Sequence, residues 1–179
     1  MLIYRLLPGE FVTILTLIKT KDRFMKAKTG FLVQSAAVAA LYTVLGIFAY
    51  FPAGPFQVRV AEAMTVLPCV MPAAIPGLCI GCFISNIITG CAPWDVVFGT
   101  LATLIGAVLT RLLRSHRWAA PIPPILANTV ILPPVLTLVY GEKSYLFFLI
   151  SVAAGEIISC GILGTLVNAA IMKYEKYIQ

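Results

Sequence analysis

Four polar side chains lie inside long apolar runs of this sequence, Glu62, Asn86, Asn128 and Glu156. Glu156 is the most exacting of them, because the run Tyr145–Met172 holds no other charged residue. A carboxylate in the middle of a hydrocarbon span costs about 3 kcal/mol and is kept where it faces a cavity or a partner. The partner of Glu156 is Asn128, a proton, water, or a bound ligand that is cationic or rich in N–H groups. Arg59 precedes Glu62 by three residues and shares its helix face, and Trp94 and Asp95 fall at the same end of the apolar runs. Two carboxylates, two amides and a flat aromatic ring suit a planar heterocycle that presents a row of N–H donors. A carboxylate takes two adjacent N–H groups of a guanine-type edge, an amide satisfies the neighbouring carbonyl, and an indole stacks on the ring. Each residue also has a plainer reading. Arg59 and Glu62 make a local ion pair, the two asparagines join helices by hydrogen bonds, and Trp94 anchors at the membrane interface.

The elements that position these residues follow from composition. Apolar residues make up 60% of the 179 and charged residues 11%, with mean hydropathy +0.98. A soluble domain carries about 25% charged residues, so a cytosolic enzyme, a disordered chain and a secreted disulfide scaffold are excluded, and a polytopic all-α membrane protein remains. A transmembrane helix needs about 20 apolar residues. Runs at 31–50, 60–72, 77–90, 95–113, 119–139 and 145–172 predict six helices, separated by turn formers such as Pro52, Pro55, Pro72, Pro76 and Pro93. Asp95 is placed to cap the fourth. At 1.5 Å per residue, Glu156 and Asn128 then lie about 16 Å below the outer surface, and Glu62 and Asn86 about 6–8 Å below it.

Basic residues set the orientation. Lys19, Lys21, Arg23, Lys26, Lys28, Arg111, Arg114, Arg117, Lys173 and Lys176 gather on one side, against Arg59 and Lys143 on the other. Both termini are therefore expected in the cytoplasm, and the net charge of +6 needs no nucleic-acid partner. Residues 1–25 read as an interfacial helix or as an extension ahead of a natural start at Met25; residues 26–179 form the membrane domain. The basic residues follow the first apolar stretch, the reverse of a signal peptide. The five cysteines read as packing residues, and His116 as a solvated loop residue.

Several chemistries have no residues to support them. There is no phosphate-binding G-x-x-x-x-G-K-[ST], no Ser/His/Asp set, no metal-ligand spacing, no row of in-membrane carboxylates and no inverted repeat. The chain is expected to be no enzyme, to hold no cofactor or metal, and to act as a subunit. In the first helix Ala36 and Ala40, four apart, form a small-residue surface that either packs internally or docks a partner. A membrane scaffold in which Glu156 pins helices, and a stand-alone facilitator, are the alternatives to a ligand-capturing subunit.

Five stretches together resemble the queuosine-precursor transporter (QueT) family. They are Gln57-Val-Arg-Val-Ala-Glu62-Ala-Met-Thr-Val-Leu-Pro68, Ile75-Pro-Gly-Leu-Cys-Ile-Gly-Cys-Phe-Ile-Ser-Asn86, Asp95-Val-Val-Phe-Gly-Thr-Leu-Ala-Thr-Leu104, Pro123-Pro-Ile-Leu-Ala-Asn128 and Gly155-Glu156-Ile-Ile-Ser-Cys160. They run in order over about residues 29–175. The resemblance implies the substrate-binding S component of an energy-coupling-factor (ECF) transporter, a six-helix bundle whose pocket opens outward beneath the first loop. It implies a transmembrane coupling subunit and two ATPase subunits as partners, docked through small residues of helix one, with ATP consumed by those partners and not by this chain. The implied substrates are queuine and its pre-queuosine 7-deazaguanine precursors. Glu156 and Asn128 are then expected to read the guanine-like edge and Glu62, oriented by Arg59, to meet the aminomethyl nitrogen, with the two glutamates interchangeable. Asn86 and Trp94 complete the walls, Asp95 stands at the mouth, and loop 51–57 is the lid.

Overall fold

The computed structural model describes residues 8–48, 50–53, 56–140 and 145–178. It divides into two units, residues 1–33 and residues 34–179. The first unit holds the start of α1 (Pro8–Phe48), which runs through the basic residues Lys19–Lys28 as helix; residues 1–7 of the expected N-terminal extension lie outside the described residues. The second unit carries everything that follows and contains the site.

After α1, the strands β1 (Tyr50–Ala53) and β2 (Phe56–Arg59) form an antiparallel hairpin in which Tyr50 pairs with Arg59 and Ala53 with Phe56. The tip of the expected lid, residues 54 and 55, lies outside the described residues. The second apolar run, taken above as an ordinary helix, is a 3₁₀ segment over Val60–Cys69. Then come α2 (Ala74–Ile88), α3 (Pro93–Leu112), a 3₁₀ turn (Arg117–Ala119), α4 (Ile122–Tyr140) and α5 (Tyr145–Glu156). A π-helical stretch, Ile157–Leu163, joins α5 to α6 (Gly164–Ile178). Residues 141–144, between α4 and α5, lie outside the described residues.

Four stretches among the described residues are long and apolar enough to cross a membrane: Lys28–Phe48, Pro93–Leu112, Arg117–Val139 and Tyr145–Lys173. Val60–Cys69 and Ala74–Ile88 are apolar but shorter. Large apolar side chains such as Val44, Ile87, Leu101, Val130, Ile150 and Leu166 are exposed along the helices. Water would penalise that pattern and lipid would not.

The core around the site is closed by small residues. Helices in lipid associate by close packing, for which glycine clears the way. Gly77 and Gly81, one helical turn apart on α2, face α1: a Cβ at Gly77 would sit 2.6 Å from Ser35 O, and one at Gly81 would sit 2.8 Å from both Ala39 O and Tyr42 Cβ. Ala36 and Ala40 lie on an exposed part of α1, whereas Val38 and Tyr42 join Leu78, Cys82 and Ala107 in the buried cluster. On the other side α3 packs against α4, where Gly106 admits Pro124.

Two departures from α-helical geometry flank the site. A ten-residue 3₁₀ segment is unusual, because such helices seldom exceed 3–4 residues. Here Pro68 removes a backbone donor and Thr65 Oγ1 donates to Glu62 O at 2.6 Å, while Arg111 Nη1 donates to the end carbonyls of Pro68 and Cys69 at 3.2 and 3.0 Å. The π stretch begins directly after Glu156. Asp95 does not cap α3: the helix starts at Pro93, whose missing N–H costs nothing at a first position, and Ala92 holds the cap position. Asp95 is buried in the first turn instead.

Candidate functional site

Arg59, Glu62, Asp95, Asn128 and Glu156, five of the residues singled out from the sequence, line one cavity of about 30 Å³. The 3₁₀ geometry places Glu62 and Thr65, three residues apart, on one face, and that face meets the π stretch: Thr65 Oγ1 lies 3.4 Å from Cys160 Sγ, and Cys160 Sγ donates to Glu62 O at 3.4 Å. Helix α4 brings Asn128 up to α5, where Asn128 Nδ2 donates to Glu156 Oε1 at 2.8 Å. Of the partners left open for Glu156 by the sequence, the structure shows Asn128. Glu156 Oε2 accepts from Cys160 Sγ at 3.1 Å. Both glutamates are buried, Glu62 at 3% and Glu156 at 8% exposure.

Glu62 is held differently. Its Oε1 accepts a hydrogen bond from the hydroxyl of Tyr42 on α1, and its Oε2 is buried with no hydrogen-bond partner. Among the described residues only Thr129 Oγ1 shares that condition. Leaving a buried carboxylate oxygen unsatisfied costs about 1–3 kcal/mol or more, so the orphaned atom marks where a donor is wanted.

Arg59 is the hinge of the arrangement. Its Nη1 donates to Asn86 Oδ1 at 3.0 Å, and its backbone N–H donates to Ser159 Oγ at 3.2 Å, fastening the end of β2 to the π stretch. A second cavity of about 60 Å³, walled by Tyr42, Ser85, Asn86 and Thr89, also has Arg59 in its lining. Arg59 thus borders both chambers. A cavity that admits one water needs about 10–15 Å³ and ligand pockets run to about 300 Å³ or more, so neither chamber by itself is large enough for a heterocycle. Three carboxyl groups (Glu62, Asp95, Glu156) and one guanidinium line the first chamber.

Trp94 does not join them. It is 63% exposed and lines an outward apolar groove with Phe98 (ring centroids 6.1 Å apart), Pro134 and Leu138. A tryptophan at the start of an apolar helix prefers the interface depth, and that preference wins over the wall position expected for it. Tyr42, Cys82 and Cys160 were missed by sequence reading. Cys160 was open to detection, since it is four residues from Glu156 and so on the same helical face. Tyr42 carried a fainter sign, a phenol within an apolar run where a hydroxyl needs a partner.

A family model described as QueT transporter matches residues 32–173. This chain belongs to the QueT transporter family. It is a multi-pass membrane protein with a transport role, and it is not an enzyme. All five quoted stretches of resemblance, and every residue of the buried cluster, fall inside the matched span. No curated protein and no solved structure matches the chain.

Proposed function

We propose that this QueT-family chain is the substrate-binding S component of an ECF transporter and that it captures 7-deazaguanines, queuine and its pre-queuosine precursors, from outside the cell. The observation that carries the reading is the pairing of Asn128 with Glu156 at 2.8 Å beside the orphaned Glu62 Oε2, in one buried chamber with a surplus of carboxylates. Such a chamber favours a flat ligand with adjacent N–H donors and a positive charge. Glu156 takes two N–H groups of the guanine-like edge, and Asn128 turns to its carbonyl. Glu62 Oε2 receives the aminomethyl ammonium, a charge-assisted bond of the stronger kind. Arg59 swings away from Asn86 to join the two chambers, and the β1–β2 hairpin that ends in Arg59 moves with it as the lid. Six segments cross the bilayer in this reading, the 3₁₀ segment and α2 being the short pair, and both termini are cytoplasmic. The exposed Ala36 and Ala40 meet the transmembrane coupling subunit, while two ATPase subunits supply the energy.

Uptake into proteoliposomes tests this. Vesicles holding the chain with a coupling subunit, two ATPases and internal ATP are expected to accumulate a labelled pre-queuosine deazaguanine, and vesicles holding the chain alone are expected to take up none. Equal uptake by the chain alone would identify a facilitator and overturn the S-component reading.

A further inference from the structure

Folding brings Glu62, Glu156 and Cys160 together so that one ligating atom from each lies within 4.8 Å of the others, all three residues buried. Their outer contacts are arranged in a way that a bare acidic cluster would not require. Tyr42 donates to Glu62 Oε1 and leaves Oε2 buried with no partner. Asn128 donates to Glu156 Oε1 and leaves Oε2 to the Cys160 thiol, 3.1 Å away. Each carboxylate thus has one oxygen fixed by a neutral donor and the other free of any protein donor except an exchangeable thiol. Metal-ligating carboxylates are oriented by second-sphere donors in the same fashion. The chamber beside them is lined by three carboxylates and one guanidinium, a balance that favours a bound cation.

We propose that Glu62, Glu156 and Cys160 form a binding site for one thiophilic divalent cation of the zinc class. A thiolate with two carboxylate oxygens selects such an ion over calcium or magnesium, which prefer all-oxygen shells. Tetrahedral ligands around zinc stand about 3.5 Å apart, so small side-chain rotations close the present spacing. On binding, the Cys160 thiol gives its proton to solvent and the sulfur becomes the ligand. The ion draws on the same two glutamates as the proposed organic cation, and the two exclude each other. The metal site stands independently of the deazaguanine reading, because the metal alone is the probe.

The test uses the full chain, solubilised in detergent and stripped with chelator. Co²⁺ titration is expected to give a sulfur-to-cobalt charge-transfer absorption saturating at one equivalent, and Zn²⁺ calorimetry is expected to give one matching site. Cys160→Ser should abolish the absorption and weaken Zn²⁺ binding tenfold or more, Glu62→Gln should weaken it by a similar factor, and Cys79→Ser should leave both unchanged. Absence of saturable Zn²⁺ binding in the unmodified chain would overturn the proposal whatever the variants do, as would an absorption that survives Cys160→Ser. Failure of deazaguanine uptake would leave these titrations as they are.

Discussion

Glu62 and Glu156 face the same small chamber but are restrained by different neighbours, a phenol for one and an amide with a thiol for the other. The Tyr42 hydroxyl is the only hydrogen-bond donor that the structure gives to the Glu62 carboxylate among the described residues. Tyr42→Phe therefore leaves both carboxylate oxygens unsatisfied, at about 1–3 kcal/mol, and should lower the thermal unfolding temperature in detergent by several degrees. An unchanged unfolding temperature would mean that Glu62 finds another donor. The glutamates, Asn128, Arg59 and Asp95 were legible before folding, because polar groups in apolar runs are costly and must be held somewhere in the interior. Trp94 was misplaced because depth in the membrane does not say which side of a helix faces lipid. Tyr42 and Cys160 came into view only when α1 and the π stretch were brought against the 3₁₀ segment, contacts between residues up to 98 positions apart.

At the scale of elements, the site is built where helices depart from α geometry. A 3₁₀ segment presents Glu62 and Thr65 on one face, and a π stretch offers Ser159 and Cys160 to it. Runs of apolar residues and their proline breaks placed the starts of the last five segments to within about three residues, whereas α1 begins at Pro8, well ahead of the start expected at residue 31. They did not distinguish 3₁₀ or π from α, since the backbone pitch is chosen by side-chain bonds such as Thr65 to Glu62 and by Pro68, not by apolar periodicity. The contact between α1 and α2 rests on Gly77 and Gly81. Gly81→Val would push a side chain into Ala39 O and Tyr42 Cβ, an overpacking of about 1–3 kcal/mol. It should lower the unfolding temperature and, by displacing Tyr42 from Glu62, weaken ligand binding as well. Loss of stability with ligand affinity intact would show that Tyr42 does not hold Glu62 for its task.

For the whole molecule, the distribution of charge decides orientation. Arg111 in the last turn of α3 and Arg114, His116 and Arg117 just after it cluster at the opposite end of α3 from Asp95. The orientation proposed above, which follows the positive-inside rule, has that loop in the cytoplasm and the chamber toward the exterior. In a variant with Cys79 and Cys91 replaced by Ser, His116→Cys should react with a membrane-impermeant maleimide only in inverted vesicles, and labelling in intact cells would reverse the topology.

Isothermal calorimetry with a pre-queuosine 7-aminomethyl-7-deazaguanine measures most directly whether the buried carboxylates exist to hold a cationic heterocycle. The purified chain is expected to bind it at a single site, with affinity reduced tenfold or more, about 1.4 kcal/mol or more, in both Glu62→Gln and Glu156→Gln. Equal affinity in the unmodified chain and both variants, or no binding at all, would contradict it.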